Sequence, residues 1–164
     1  MNHNSKSGQK TNAARLLDSL NIHYSLYQFD VNEEDLSATS AAIALNVSPE
    51  QVFKTLVVRG DRTGVLMACI PSASSLNLKR LSKVSANKSV NMVPLREVFP
   101  LTGYLRGGCS PLCTRKQYPV WIDETAQLYD QIYISAGKRG LQFLLSPDDL
   151  LEAASAVYAD IADF

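Results

Sequence analysis

The chain has 164 residues, 46% hydrophobic and 20% charged, with 16 Lys plus Arg against 16 Asp plus Glu. That is ordinary globular material, long enough for a single domain with a core of useful size. The neutral total excludes a general nucleic-acid binder, so no DNA partner is expected, although limited contact with one phosphate-bearing end remains compatible with it.

Met1 to Lys10 is polar and carries neither an apolar signal core nor a spanning stretch. Residues 1–10 therefore read as a flexible tail, no membrane partner is expected, and the expected location is the cytoplasm. Residues 11–164 form the domain. Thr11 to Leu20 reads as a helix, capped by Thr11 or Asn12, with Ala13, Leu16, Leu17 and Leu20 on one face. Ile22 to Phe29 reads as a strand ending near Asp30, followed by the acidic turn Asn32-Glu33-Glu34-Asp35. Ser37 or Thr39 can cap a short helix through Leu45, and Ser48-Pro49-Glu50-Gln51 supplies one helical turn.

Val52-Phe53-Lys54-Thr55-Leu56-Val57-Val58 reads as a strand, with Arg59 to Gly64 as the turn after it. Phe53, Thr55 and Val57 share one face, and Val52, Lys54, Leu56 and Val58 share the other, so an ammonium sits among hydrocarbons. A buried ammonium without a partner is costly. Lys54 is either a gatekeeper on an edge strand or a cation pointing into a pocket that receives negative charge.

Val65 to Ile70 completes a hairpin with this strand. Asn77 can cap a helix bearing Leu78, Leu81 and Val84, Ser89 to Val93 is a short strand, and Pro94 to Phe99 is a helical segment ending before Pro100. In Thr102 to Pro111, the pair Gly107-Gly108 before Cys109 and Ser110 lets the backbone present amides and a hydroxyl to an oxyanion, or simply makes a turn. Tyr118 to Ile122 and Gln131 to Ser135 are strands. Ala136-Gly137-Lys138-Arg139-Gly140 is the hairpin turn to Leu141–Leu145, and Ser146-Pro147-Asp148-Asp149 opens a last helix running to about Val157. Short strands interleaved with short helices indicate an α/β or α+β domain built on a mixed sheet.

The charge is unevenly distributed: Lys54 to Arg139 holds 13 Lys plus Arg against 5 Asp plus Glu, while the flanking segments are acidic. This permits a basic face beside a pocket. Cys69, Cys109 and Cys113 do not make a disulfide framework, and with His3 and His23 far from them the ligands for a metal site are too few, so no metal and no cofactor are expected. Phosphate-loop and dinucleotide fingerprints are absent. A nucleophilic thiol at Cys109 or Cys113, activated by Arg106, Arg115 and Lys116, is a competing idea.

Three co-ordered segments resemble the bacterial YbaK/EbsC group, which shares a superfamily with the editing domain inserted in bacterial prolyl-tRNA synthetase. They are Val52 to Val58, Gly103-Tyr104-Leu105 with Gly107 to Leu112, and Ile134 to Leu141. The resemblance covers nearly all of the chain from about Thr11. It implies a mixed, partly barrel-like sheet flanked by short helices, and a free-standing deacylase that cleaves the ester of mischarged tRNA, typically cysteine on proline tRNA. Its substrate would be the acceptor end of an aminoacyl-tRNA, with prolyl-tRNA synthetase as the expected partner.

The resemblance assigns Lys54, Gly107, Gly108 and Ser110 to catalysis. Substrate binding falls to Phe29, Asp30, Thr55, Cys109, Pro111, Ser135, Gly137, Lys138 and Arg139. Phe29 stands where relatives often carry tyrosine, Cys113 where glycine is usual, and Ala136 replaces a glycine. An aminoacyl ester is already activated, so backbone amides at Gly107 to Cys109 and an ordered water, or the substrate's own thiol, suffice for its cleavage. A module that binds the tRNA 3′ end or a nucleotide without cleaving it is the alternative.

Overall fold

The structure, a computed structural model, describes residues 10–164. The expected tail lies outside the described residues except for Lys10, which is exposed and donates to Asp18 Oδ2 at 2.6 Å. Helix α1 (Asn12–Ser19) starts where Thr11 Oγ1 accepts from the Ala14 amide, and it buries Ala13, Ala14 and Leu17. Strand β1 (Ser25–Gln28) is shorter than the expected Ile22–Phe29, because the Ile22 amide instead closes the end of α1 on Leu17 O at 3.0 Å. Helix α2 (Ala38–Leu45) is capped by Ser37, whose side chain accepts from the Ser40 amide, and it ends at the left-handed Asn46. Asparagine is one of the few side-chain-bearing residues that adopts this conformation readily.

Strands β2 (Phe53–Gly60) and β3 (Gly64–Pro71) form the expected antiparallel hairpin, registering Phe53 with Pro71 and Gly60 with Gly64. Its turn is tighter than Arg59–Gly64. Arg59 and Gly60 continue the strand because Asn87 Oδ1 accepts from the Arg62 and Thr63 amides, and the Asn87 side chain fills the space that a Cβ at Gly60 would need. The chain continues through β4 (Ser75–Leu76), α3 (Leu78–Val84, capped by Asn77), β5 (Val90–Met92) and α4 (Leu95–Thr102). Helix α4 passes through Pro100 rather than stopping before it. The Thr102 hydroxyl donates to Val98 O at 2.7 Å and the Gly103 amide to Phe99 O at 2.8 Å, so the last turn closes around the missing proline donor.

Strand β6 (Val120–Asp123) leads through a short 3-10 turn, Glu124–Leu128, to β7 (Ile132–Lys138) and β8 (Leu141–Leu145). Strand β7 runs on to Lys138 with an irregularity between Ser135 and Lys138, which reduces the expected Ala136–Gly140 turn to Arg139 and Gly140. Helix α5 (Pro147–Ala154) ends at Ser155, φ 51°, short of the expected Val157. The chain then forms β9 (Val157–Ala159) and β10 (Ala162–Asp163), which the sequence reading leaves out. They are held by Asp123, 1% exposed, whose Oδ1 accepts from the Ile161 amide at 3.0 Å and the Ala162 amide at 2.9 Å.

The described strands form a mixed sheet β5-β2-β3-β6-β9, an antiparallel sheet β1-β8-β7 and the pair β10-β4. Phe53 and Val57 from one face of β2 join Leu17, Met67, Ile134 and Phe143 in the main core between the first two sheets. Each large side chain buried there contributes about 1.5–3 kcal/mol. Val58, Leu66, Ile70, Leu81 and Ile161 form a second cluster on the opposite face. The two sheets meet at one isolated parallel bridge, Val52 to Tyr133, where the Tyr133 amide donates to Gln51 O at 3.0 Å. The expected mixed sheet flanked by short helices is thus present as two sheets joined at a seam. No helix among the described residues is long and apolar enough to cross a membrane.

Candidate active site

Beyond the Val52–Tyr133 bridge the ladder between β2 and β7 does not continue, and a cavity of about 650 Å³ is lined from both sheets. Antiparallel strands turn alternate residues toward each neighbour. The Ser72 amide donates to Val52 O, and the Val93 amide to Val57 O, so even-numbered residues of β2 bond to β3 and odd-numbered ones face the other way. Strand β5 pairs only with Val58 to Gly60. Beyond the bridge, the main chain at Thr55 therefore lies on an edge without a strand partner, on the cavity wall.

Lys54 lines this cavity, half-buried, and donates from Nζ to Ser72 O at 3.0 Å. It makes no ion pair among the described residues. Burial holds its pKa below the ordinary lysine value. The edge and pocket readings of Lys54 thus meet: β2 is interior to its sheet at Val58 and an open edge at Lys54.

The two glycine-bearing segments come together opposite. The irregular end of β7 carries the loop after α4: the Ser135 hydroxyl donates to Gly108 O at 2.9 Å, and Arg139 Nε donates to Arg106 O at 2.7 Å. The Gly137 amide donates to Ser135 Oγ at 3.1 Å, so this buried hydroxyl links both segments. At Gly108 a Cβ would stand 3.0 Å from Arg139 N and Lys138 C, so the loop backbone rests directly on the β7 backbone. The Tyr104 hydroxyl donates to Leu112 O and braces the loop from the other side; its ring lies 3.0 Å from where a Cβ of Gly137 would be.

Phe29, Asp30, Thr55, Gly107, Cys109, Ser135 and Arg139 line the cavity with Lys54. Gly108, Ser110, Pro111, Gly137 and Lys138 do not. Ser110 is fully buried and its Oγ accepts from the Leu112 amide at 3.2 Å, a turn-forming contact. Pro111 is buried beside it, and Lys138 is exposed at the end of β7. The Gly108 amide closes a turn on Leu105 O at 3.0 Å and is not free for an oxyanion. The amides of Gly107, φ +86°, and of Cys109 have no hydrogen-bond partner among the described residues.

The thiol idea is contradicted by the local environment: burial pushes the Cys109 thiol up to about 12, and it raises exposed Cys113 as well, so neither is a ready thiolate. Among the described residues no three His, Cys, Asp or Glu side chains cluster as a metal site. Sequence reasoning missed Ser72, the first turn of α2 from Ser37 to Ala41, and Gln142, all on the cavity wall. Gln142 carries no signal in Leu-Gln-Phe-Leu-Leu beyond ordinary strand alternation.

Among solved structures, the hypothetical protein APE2540 matches with a TM-score of 0.84 and 25% identity over 93% of this chain and 100% of that one. A protein described as a putative trans-editing enzyme for prolyl tRNA synthetase matches with a TM-score of 0.80 and 22% identity, over 95% of this chain and 100% of the other, a likeness of fold. A curated protein of Enterococcus faecalis (strain ATCC 700802 / V583), the "Putative Cys-tRNA(Pro)/Cys-tRNA(Cys) deacylase EbsC", is 44% identical over 156 residues, 95% of each chain. The family model described as "Aminoacyl-tRNA editing domain" matches residues 33–153, and the chain belongs to that family.

Proposed function

We propose that this protein is a trans-acting deacylase that cleaves the ester between a mischarged amino acid and the terminal ribose of a tRNA, with cysteine on proline tRNA as its substrate. The observation that carries the reading is the cavity's chemistry: an ammonium without a carboxylate partner lines one cleft together with Gly107 and Cys109, whose amides have no hydrogen-bond partner among the described residues. The relative's name supports the same substrate class.

An aminoacyl ester needs orientation and stabilisation of its developing oxyanion more than a strong base. The Gly107 and Cys109 amides supply donors for the carbonyl oxygen. The Lys54 ammonium holds the ribose or the terminal phosphate, and Arg106 and Arg139 offer cations to the phosphates of the single-stranded end. Phe29, Asp30 and Thr55 bound the aminoacyl and adenosine groups, while Ser135, Gly108, Ser110 and the Gly137–Lys138 segment hold the loop in position. With a cysteinyl substrate the thiol sulfur attacks its own carbonyl carbon. The carbon–oxygen bond to ribose breaks, and the thiol proton passes to the ribose oxygen. With other amino acids an ordered water takes the thiol's place.

The pocket takes only the acceptor end, so selection of the tRNA falls to a partner, for which a prolyl-tRNA synthetase in the same cytoplasm is the natural choice. The test is release of amino acid from proline tRNA charged with cysteine, alanine or proline, by wild type and Lys54→Ala. Loss of cysteine that disappears in the variant is the expected result. Alanine released instead moves the substrate, and binding without cleavage of any ester overturns the enzyme reading in favour of a 3′-end binding module.

A further inference from the structure

Gln142 is buried in the cavity wall with its carboxamide incompletely satisfied. It lies on β8 between Ser135 of β7 and Tyr27 of β1, so these three side chains share one face of the sheet. That face is the one on which Ala42 and Leu45 of α2 pack with Tyr27, Tyr133 and Leu144. Gln142 is 6% exposed, lines the cavity, and its Oε1 has no hydrogen-bond partner among the described residues. A buried carboxamide oxygen without a donor is unfavourable, so a group on a cavity wall takes its donor from an ordered water or from the cavity's occupant.

We propose that Gln142 determines specificity for aminoacyl groups, its Oε1 accepting a hydrogen bond from the substrate's α-ammonium. The identity of that ligand rests on the deacylase reading above. The ester end of such a substrate carries a carbonyl oxygen, which wants donors, and an ammonium, which wants an acceptor. The cavity's cations, Lys54, Arg106 and Arg139, accept nothing. Its buried hydroxyls each donate to a main-chain carbonyl, Ser72 to Pro49 O and Ser135 to Gly108 O, and Ser135 Oγ also accepts from the Gly137 amide. Ser72 Oγ keeps acceptor lone pairs but is already anchored, whereas Gln142 Oε1 makes no hydrogen bond at all among the described residues. Asp30 and Asp35 are exposed, and Asp35 already accepts from the Ser37 amide. Because Ser135, its partner across the ladder, is bonded to Gly108, Gln142 stands on the side of the cavity that holds the Gly107 and Cys109 amides.

The experiment compares cysteinyl-tRNA with mercaptopropionyl-tRNA, which keeps the thiol and lacks the α-amino group, using wild type, Gln142→Leu and Gln142→Glu. Wild type should favour cysteinyl-tRNA in kcat/KM by about 10- to 100-fold. Gln142→Leu should erase that preference by losing activity on cysteinyl-tRNA alone, and Gln142→Glu, which keeps an acceptor, should retain it. Equal loss on both substrates, or an intact preference in Gln142→Leu, overturns the proposal. If the leucine variant does not fold, absence of a preference in wild type or its loss in Gln142→Glu overturns it equally.

If wild type cleaves no ester, the deacylase reading falls separately. Affinity for a nonhydrolysable adenosine amide analogue, with and without its α-amino group, then decides the role of Gln142. A preference for the amino form that Gln142→Leu abolishes upholds the role; equal affinities or no binding overturn it.

Discussion

Gly108→Ala tests the seat of the loop on β7. The added Cβ would meet Arg139 N and Lys138 C at 3.0 Å and Lys138 Cα at 3.3 Å, all of them backbone atoms. That backbone cannot yield easily, because Lys138 is paired with Leu141 and Arg139 is tied to Arg106 O. The loop must therefore lift by a few tenths of an ångström, carrying the Gly107 and Cys109 amides with it and stretching the bond from Ser135 to Gly108 O. Overpacking of this kind costs about 1–3 kcal/mol in stability. Misplacing reactive groups on the ångström scale costs about 100-fold in rate, so kcat should fall by about 10- to 100-fold. Single-turnover release from labelled cysteinyl-tRNA measures the rate, and a urea melt measures the stability. Gly64→Ala is the control, since Gly64 has φ +73° and open space around its missing Cβ. It should lose about 1–2 kcal/mol from backbone strain and keep its rate. Gly108→Ala with full activity would refute the loop's role, and equal rate losses in the two variants would reduce the effect to general destabilisation.

Lys54 carries a pH signature. Its folded pKa lies below the ordinary lysine value of 10.5, so between those two values the unfolded chain binds more protons and native stability rises with pH. Lys54→Met should be at least as heat-stable as wild type at pH 7, with the gap closing as pH rises through that window, while deacylation drops by about 100-fold or more; a clearly lower melting point at pH 7 would contradict this. Asp123→Ala removes the acceptor for the Ile161 and Ala162 amides in a buried site and should cost about 3 kcal/mol, read from a shifted urea midpoint; a midpoint unchanged from wild type would mean that the C-terminal strands are held by other contacts. Alkylation at pH 7, followed by mass spectrometry, should label exposed Cys113 well ahead of Cys69 and Cys109, both pushed up to about 12 by burial. Rapid labelling of Cys109 in folded protein would revive the thiol reading.

Much of this arrangement is legible in the order of residues. Lys54 is conspicuous because a lone cation interrupts an apolar strand, a local signal that survives folding. The helix starts at Thr11, Ser37 and Asn77 are local too, since each cap binds an amide within its own first turn. What escapes reading depends on partners distant in the chain. The tight β2–β3 turn is held by Asn87, and the last strands are gathered by Asp123. The Gly-Gly loop shows the division within a single motif. Its glycines mark a special backbone, yet only folding reveals that Gly108 spends its amide on Leu105 while Gly107 and Cys109 keep theirs. Gln142 is the extreme case: in sequence it is the polar member of an apolar strand, and only burial without a partner distinguishes it.

The seam at Val52 and Tyr133 joins the backbones of the cavity's two walls, and the core between the sheets packs behind it. Each wall is stiffened by its own ladder, whereas the walls share a lone backbone bridge, supplemented by Gln51 Nε2 donating to Gln131 O at 2.9 Å. The Tyr133 amide proton, bonded to Gln51 O across the seam, is its natural reporter: its deuterium uptake measures local opening there, and an occupant gripped by both walls should slow that uptake.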